Sequence, residues 1–303
     1  MRNKLFDWGF LKQTKFEIPV ISIGNLSMGG TGKTPHIEYF ISKYKTKHNI
    51  AVVSRGYGRK TKGFRYVNAM DSAEIVGDEP LQIKNKFDDI MVAVGEKRVD
   101  AIQQVLKENP DINLILLDDA FQHRYVKPSL NILLTEYSNP FWKDLMVPAG
   151  RLREFRCGWK RADLIIITKC PETIDLKIPP SIKSKPIYFS RIAYQNPILI
   201  NGQFFKKVIL VTGIANPLPL LGYLRKNSFE IVHHFNHSDH HTFSNSDISN
   251  ILSKLDSEKD AMLLTTEKDW MRLKPFLENK DINLAYIPIG VEIENPPADW
   301  LEG

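Results

Sequence analysis

Ile18-Pro19-Val20-Ile21-Ser22-Ile23-Gly24-Asn25-Leu26-Ser27-Met28-Gly29-Gly30-Thr31-Gly32-Lys33-Thr34-Pro35 is the stretch that decides the fold. Ile18–Ile23 is a short, mostly apolar run with a glycine directly after it, the pattern of a buried strand. A glycine-rich turn follows, and then Ile37, Phe40, Ile41 and Tyr44 recur at helical spacing. Strand, glycine turn and helix in that order build a phosphate cradle. Glycines let backbone N–H groups turn inward around phosphate oxygens, and the helix N-terminus adds its positive dipole. Gly29, Gly30, Thr31 and Gly32 would form the cradle, Lys33 would reach the β/γ-phosphates, and the Thr34 hydroxyl would bind Mg²⁺. Ser27 stands where the G-x-x-x-x-G-K-[ST] pattern opens with glycine. The competing reading is a glycine-rich turn with an incidental lysine, and the flanking strand and helix weigh against it.

Working outward, short apolar runs keep alternating with amphipathic stretches, which predicts an α/β fold with a parallel sheet under helices. Strands are expected at Ile50–Val53, Ile90–Val94, Leu114–Leu117, Leu130–Leu134 and Leu164–Ile167. Later ones are expected at Val208–Val211, Glu230–Val232, Met262–Leu264 and Leu284–Ile287. From Pro171 to Gln203 the rhythm breaks at Pro179, Pro180, Pro186 and Pro197, which reads as connecting structure. The expected organisation is a P-loop NTPase-like core over residues 1–190 and a smaller α/β lobe over residues 191–303.

At 303 residues the chain is about twice the usual single-domain length, which suits two domains. Only Cys157 and Cys170 are cysteines, so a disulfide scaffold and a four-cysteine zinc module are excluded. Lys and Arg number 41 against 35 Asp and Glu, and the net charge of +6 favours an anionic partner. No apolar run approaches the ~18 residues of a membrane span, and charges interrupt the N-terminal apolar residues too early for a signal peptide. A soluble or peripheral cytoplasmic protein is expected.

Four further features carry chemistry. Leu114–Leu117 ends in Asp118 and Asp119, a buried strand with terminal carboxylates that suit Mg²⁺ beside a phosphate loop or, alternatively, cap a turn. Gly77-Asp78-Glu79-Pro80 is an acidic turn whose residues alone read as helix N-cap chemistry. Ser54-Arg55-Gly56-Tyr57-Gly58-Arg59 is a second glycine-rich loop after a strand, and Pro148–Glu154 with Arg156, Lys160 and Arg161 is a basic segment fit for phosphate or for solvent. His233, His237 and His241 recur every four residues, a metal-capable face if helical. Phe229–Val232 reads as a strand, which favours one functional histidine in Asp239-His240-His241.

The ensemble resembles the tetraacyldisaccharide 4′-kinase family. The match begins at Pro19–Leu26 and Gly29–Pro35 and continues through Ser54–Gly58, Gly77–Pro80, Asp118–Arg124, Pro148–Glu154, Asp239–His241 and Thr265–Asp269. The resemblance implies a kinase that uses ATP and Mg²⁺ to phosphorylate the 4′-hydroxyl of a tetraacyl disaccharide 1-phosphate, forming lipid IVA. It places such an enzyme, as a monomer, peripherally on the cytoplasmic face of a Gram-negative inner membrane, with two α/β lobes about the active site. It implies Asp78 as general base with His240 as dyad partner. Thr34, Asp118, Asp119 and Glu154 would neighbour Mg²⁺, and Tyr57, Gln122, His123, Arg151 and Arg153 would face the substrate.

Two departures stand out. Ala120 occupies a position where the family usually has glycine. Family members begin with a hydrophobic helical segment, whereas this chain reaches the loop within about thirty residues, so a late-start form is expected. Leu5, Phe6, Trp8, Phe10 and Leu11 are interleaved with Arg2, Lys4, Lys12 and Lys15, which suits an interfacial anchor or packing on the protein's own surface. The alternative function is a P-loop switch NTPase of the partitioning or metallochaperone type. Against it, Met28 replaces the partitioning lysine, and Thr168-Lys169-Cys170-Pro171 lacks a guanine-reading aspartate. No nucleic-acid recognition module is visible, so no nucleic-acid partner is expected.

Overall fold

The structure, a computed structural model, describes residues 2–239 and 241–301. By contact density the chain divides into one unit running up to Ile192 and resuming at Gly290, and a second unit spanning Ala193–Ile289. The first contains, in chain order, α1 (Arg2–Asp7), β1 (Val20–Asn25), α2 (Lys33–Tyr44), β2 (Ile50–Ser54), β3 (Arg65–Tyr66), α3 (Ala73–Val76) and α4 (Asp78–Lys86). It continues through β4 (Met91–Val94), α5 (Arg98–Glu108), β5 (Leu114–Asp118), β6 (Leu130–Glu136), β7 (Leu164–Thr168) and β8 (Ile187–Tyr194). The second holds β9 (Ile198–Asn201), β10 (Lys207–Thr212), α6 (Leu218–Lys226), β11 (Glu230–Asn236), α7 (Asn245–Asp256), β12 (Ala261–Thr266), α8 (Glu267–Leu277) and β13 (Leu284–Ile287), before β14 (Ile289–Ile293) returns to the first.

Every residue of β1, β2, β5 and β7 is buried, as it must be in strands covered on both faces. They lie in a nine-stranded sheet of order β14-β8-β7-β6-β1-β5-β2-β4-β3. β1 pairs in parallel with both β5 and β6, which sets Ile23 beside Asp118. One core gathers Val20, Val53, Ala93, Ile102, Val105 and Ile115, and another Leu26, Phe121, Leu133, Phe141, Ile165 and Ile167. On α2 the expected stripe of Ile37, Phe40, Ile41 and Tyr44 is buried, so Phe40→Ala should cost about 3–5 kcal/mol. The second unit is a five-stranded sheet of order β11-β10-β12-β13-β9, parallel except for β9 on β13. Its core is built on Val208, Leu210, Leu224, Met262, Leu264 and Ile287.

Two sequence expectations shift. The proline-rich stretch holds β8 and β9, because Pro186 precedes the first residue of β8, where no ladder donor is needed. The second unit ends at Ile289 rather than running to residue 303. From Gly290 the chain returns to the first unit, where β14 lies beside β8, and buried Trp300 packs on Phe40 and Tyr188 at ring separations of 5.5 and 4.7 Å.

Candidate active site

The glycine-rich turn leaves β1 at Asn25 and enters α2 at Lys33. Gly29 and Gly32 take φ of +102° and +83°, which an L side chain resists. Gly32 is the helix N-cap and has no side chain to satisfy the first helical N–H groups. Internal bonds set the turn's shape: Asn25 Nδ2 donates to Thr31 Oγ1 at 2.8 Å, and Thr31 N to Gly29 O at 3.1 Å. From the helix side, buried His36 donates Nδ1–H to Gly32 O at 2.7 Å, while its Nε2 accepts from Ser190 Oγ at 3.0 Å. Burial pulls His36 down to about 4, so it supports the turn as a neutral ring.

β5 ends in the two expected carboxylates, and their surroundings separate them. Asp118 is fully buried; its Oδ2 accepts from Ser54 Oγ at 2.9 Å, and its Oδ1 has no hydrogen-bond partner. Burial, then the neighbouring Glu79 and Asp119 carboxylates, push Asp118 up to about 7. Asp119 turns away at φ +46° and takes a two-pronged contact from Arg153, Nη1 to Oδ2 at 3.0 Å and Nη2 to Oδ1 at 2.8 Å. Lys33 Nζ lies 3.9 Å from Asp119 Oδ1. Burial alone would raise Asp119, but Arg153 and Lys33 outweigh it and hold the group below its ordinary value. A bare buried oxygen beside further carboxylates is a donor set for a hard divalent cation, so these residues fit Mg²⁺.

Asp78 opens α4, half-buried in its first turn with Glu79. Gly77 before it has φ +94°, and a Cβ there would lie 3.1 Å from Gly56 Cα and from Tyr57 O, so glycine lets the 54–59 loop close on this turn. Tyr57 itself is 72% exposed.

The basic segment is stitched to the glycine turn rather than left in solvent. Met28 N donates to Arg151 O at 2.6 Å, and Arg153 N to Leu26 O at 2.8 Å. Arg153 also donates to Asn25 Oδ1, which links turn, strap and Asp119 through one guanidinium. Arg151 is engaged elsewhere, with Glu136 and Asp144 oxygens 3.5 Å from its nitrogens. Glu154, expected near the cation, is occupied: Arg161 donates to it at 2.6 Å, Asn3 at 2.7 Å and Gln122 at 3.1 Å. Asp118, Asp119 and Glu154 form no single cluster of carboxylate oxygens within 4.8 Å. Gln122 Nε2 also donates to Asn25 O at 2.7 Å. His123 lines a separate cavity of about 220 Å³ with Arg124, Lys127 and Arg161, and burial then nearby Arg98, Arg2 and Arg55 lower it to about 4.

His240 lies outside the described residues. His233 and His237 fall on and just after β11, so the four-residue spacing makes no helical face. Sequence reading gave no role to Glu79 or to Arg98. Arg98 is buried at the start of α5, pulled down to about 10 by burial against the charges of Asp118 and Asp119. Its signal was available: a basic residue just beyond β4, on the edge where this sheet's phosphate loop opens.

The family model described as LpxK: tetraacyldisaccharide-1-P 4′-kinase matches residues 1–302. The tetraacyldisaccharide 4′-kinase of Bacteroides thetaiotaomicron is 42% identical, the match covering 97% of this chain and 85% of the relative. That of Flavobacterium johnsoniae is 42% identical over 95% of this chain and 87% of its own. A crystal structure of the "apo" form of LpxK from Aquifex aeolicus in complex with ATP superimposes with a TM-score of 0.79 at 29% identity, covering 97% of this chain and 90% of that one. By sequence over its whole length and by fold, this chain belongs to the tetraacyldisaccharide-1-P 4′-kinase family.

Proposed function

We propose that the glycine turn, Lys33, Asp118, Asp119 and Asp78 carry out the family's reaction, transfer of the γ-phosphoryl group of ATP to the 4′-hydroxyl of a tetraacyldisaccharide 1-phosphate. The observation that carries this reading is Asp118: buried, crowded by Glu79 and Asp119, and holding one oxygen without a partner beside the phosphate turn. Phosphoryl transfer needs charge neutralised and reactants aligned more than it needs covalent help. Backbone N–H groups of Gly29–Lys33 and the Lys33 ammonium bind the β- and γ-phosphates. Asp118 and the Thr34 hydroxyl hold Mg²⁺, which when bound offsets charge on the phosphate oxygens. Arg153 keeps Asp119 and Lys33 in register. Asp78 takes the proton from the attacking hydroxyl on a carboxylate oxygen, and Tyr57, Gln122 and Arg151 position the disaccharide head. A switch NTPase is not favoured, because the family match runs through the whole chain.

Membrane contact belongs to the same proposal. No helix of the described residues is long and apolar enough to cross a membrane. Phe6 is buried against Tyr125 and Arg124, whereas Trp8 and Phe10 are 66% and 75% exposed among basic residues. Those two rings suit the headgroup level of the anionic inner leaflet, where the lipid substrate resides. Incubation with ATP, Mg²⁺ and the tetraacyl disaccharide 1-phosphate should add one phosphate by mass. Absence of that product while ATP binds would refute the substrate.

A further inference from the structure

The end of β11 carries a group that the phosphate chemistry does not use. One coordinating atom from each of His237, His241 and Asp247 lies within 4.8 Å of the others, and no other such trio exists among the described residues. His241 Nε2 donates to Asp247 Oδ2 at 3.1 Å, while His237 Nε2 is buried with no hydrogen-bond partner. The backbone already positions both rings. His237 N donates to Thr212 O at 2.7 Å, His241 N donates to Ser238 O at 3.1 Å, and His241 O accepts from Arg272 Nη1 at 3.1 Å. Asp247 sits in the first turn of α7, where it accepts from Ser244 N and Oγ at 2.8 and 2.7 Å. Buried Phe243 packs on both imidazoles, 5.3 Å from His237 and 5.0 Å from His241.

A buried imidazole nitrogen with nothing to bond is costly, and two imidazoles with a carboxylate are donors that a borderline cation prefers over Mg²⁺. We propose that His237, His241 and Asp247 bind a divalent ion of the Zn²⁺ class, with water as fourth ligand, clasping the end of β11 to the first turn of α7. The rings now stack at 4.3 Å with an interplanar angle of 16°, so binding turns them until both Nε2 atoms face the ion at about 2.0–2.1 Å. His241, whose Nε2–H now bonds Asp247, would then carry that proton on Nδ1 as the other tautomer, leaving Nε2 free for the ion. The proposal does not rest on the kinase reading, although His241 adjoins His240 in the Asp239–His241 motif.

The test uses the whole chain without an affinity tag, stripped of metal and kept in excess Mg²⁺ so that oxygen-only sites are filled. Zn²⁺ titrated against a chromophoric chelator should bind at one ion per chain with Kd below about 10 μM. Co²⁺ should give the visible bands of a four-coordinate site. His237→Gln and His241→Gln should each weaken Zn²⁺ by more than ~10-fold, since loss of a mere supporting residue costs ~10–100-fold. Asp247→Asn, which keeps an oxygen for the helix cap, serves in the same role if a histidine variant melts early. Kd weaker than about 10 μM, or equal affinity in the folded variants, overturns the site and leaves the trio as aromatic packing and helix capping.

Discussion

At the end of β5, in the first unit, two carboxylates are crowded by a third, and the cations Lys33, Arg98 and Arg153 compensate them unevenly. At the end of β11, in the second unit, one of two stacked imidazoles, His241, bonds a carboxylate that already has Ser244 as donor, and the other has no partner on Nε2. The first arrangement stores repulsion, because Asp119 takes the two-pronged contact from Arg153 and Asp118 is left with a bare oxygen. In the second the rings stack, and the buried His237 Nε2 has no partner. Strand ends of one chain can thus be polar for different reasons: one is strained toward an incoming charge, the other is merely receptive to one.

The largest effects should come from the strained end. Lys33→Ala should lower turnover ~10²- to 10³-fold, the scale of one lost electrostatic donor. Asp118→Asn should lose turnover comparably, yet raise the melting temperature of the nucleotide-free protein at pH 8, because an uncompensated buried charge is gone. His237→Gln should change melting little. A lower melting temperature for Asp118→Asn would break the comparison.

Acid should sharpen it next. His36 sits near 4 when folded, against an ordinary histidine value of 6.5, so between those values the unfolded chain binds more protons. Its contribution is therefore intact above pH 6.5 and is lost as pH falls toward 4, about 2 kcal/mol by pH 5. Urea melts across this range should show that slope, and His36→Gln should flatten it.

Arg153→Lys should weaken ATP binding by roughly 10-fold, because a single ammonium cannot fork to Asp119 and Asn25 together. Equal affinity would mean that Arg153 serves charge alone. The smallest effect is at α1's exit: Trp8→Ser should reduce co-sedimentation with anionic vesicles several-fold without moving the melting curve.

Fully buried runs such as Leu114–Asp118 made the parallel sheet legible in the sequence, and Gly29–Thr34 made the phosphate turn legible through its spacing. β8 was not, because half-buried residues after prolines carry neither continuous apolarity nor clean alternation. Roles at the site were less legible than membership. Arg151, Arg153 and Glu154 are near neighbours in one basic segment, yet Arg153 reaches Asp119, Arg151 turns to Asp144, and Glu154 binds Arg161. Which partner each charge finds depends on backbone folded from distant segments, and no local pattern encodes that. The trio at β11 was hidden for a related reason: Asp247 lies beyond the histidines, and a helical period is the wrong template for a strand end and its loop.

The return of the chain at Gly290 has a bearing on synthesis. A ribosome releases β1 to β8 well before β14 and Trp300 exist, since the whole second unit is made between them. At about 5–20 residues per second, that interval lasts roughly 5–20 s. During it the sheet of the first unit, still without β14, has β8 as a bare edge, and the faces of Phe40 and Tyr188 await their indole. An uncapped edge invites pairing with other chains. Slow translation through the second unit, or a stop codon just before Gly290, should therefore send this protein toward aggregates or chaperones even though nearly all of its phosphate machinery has already emerged.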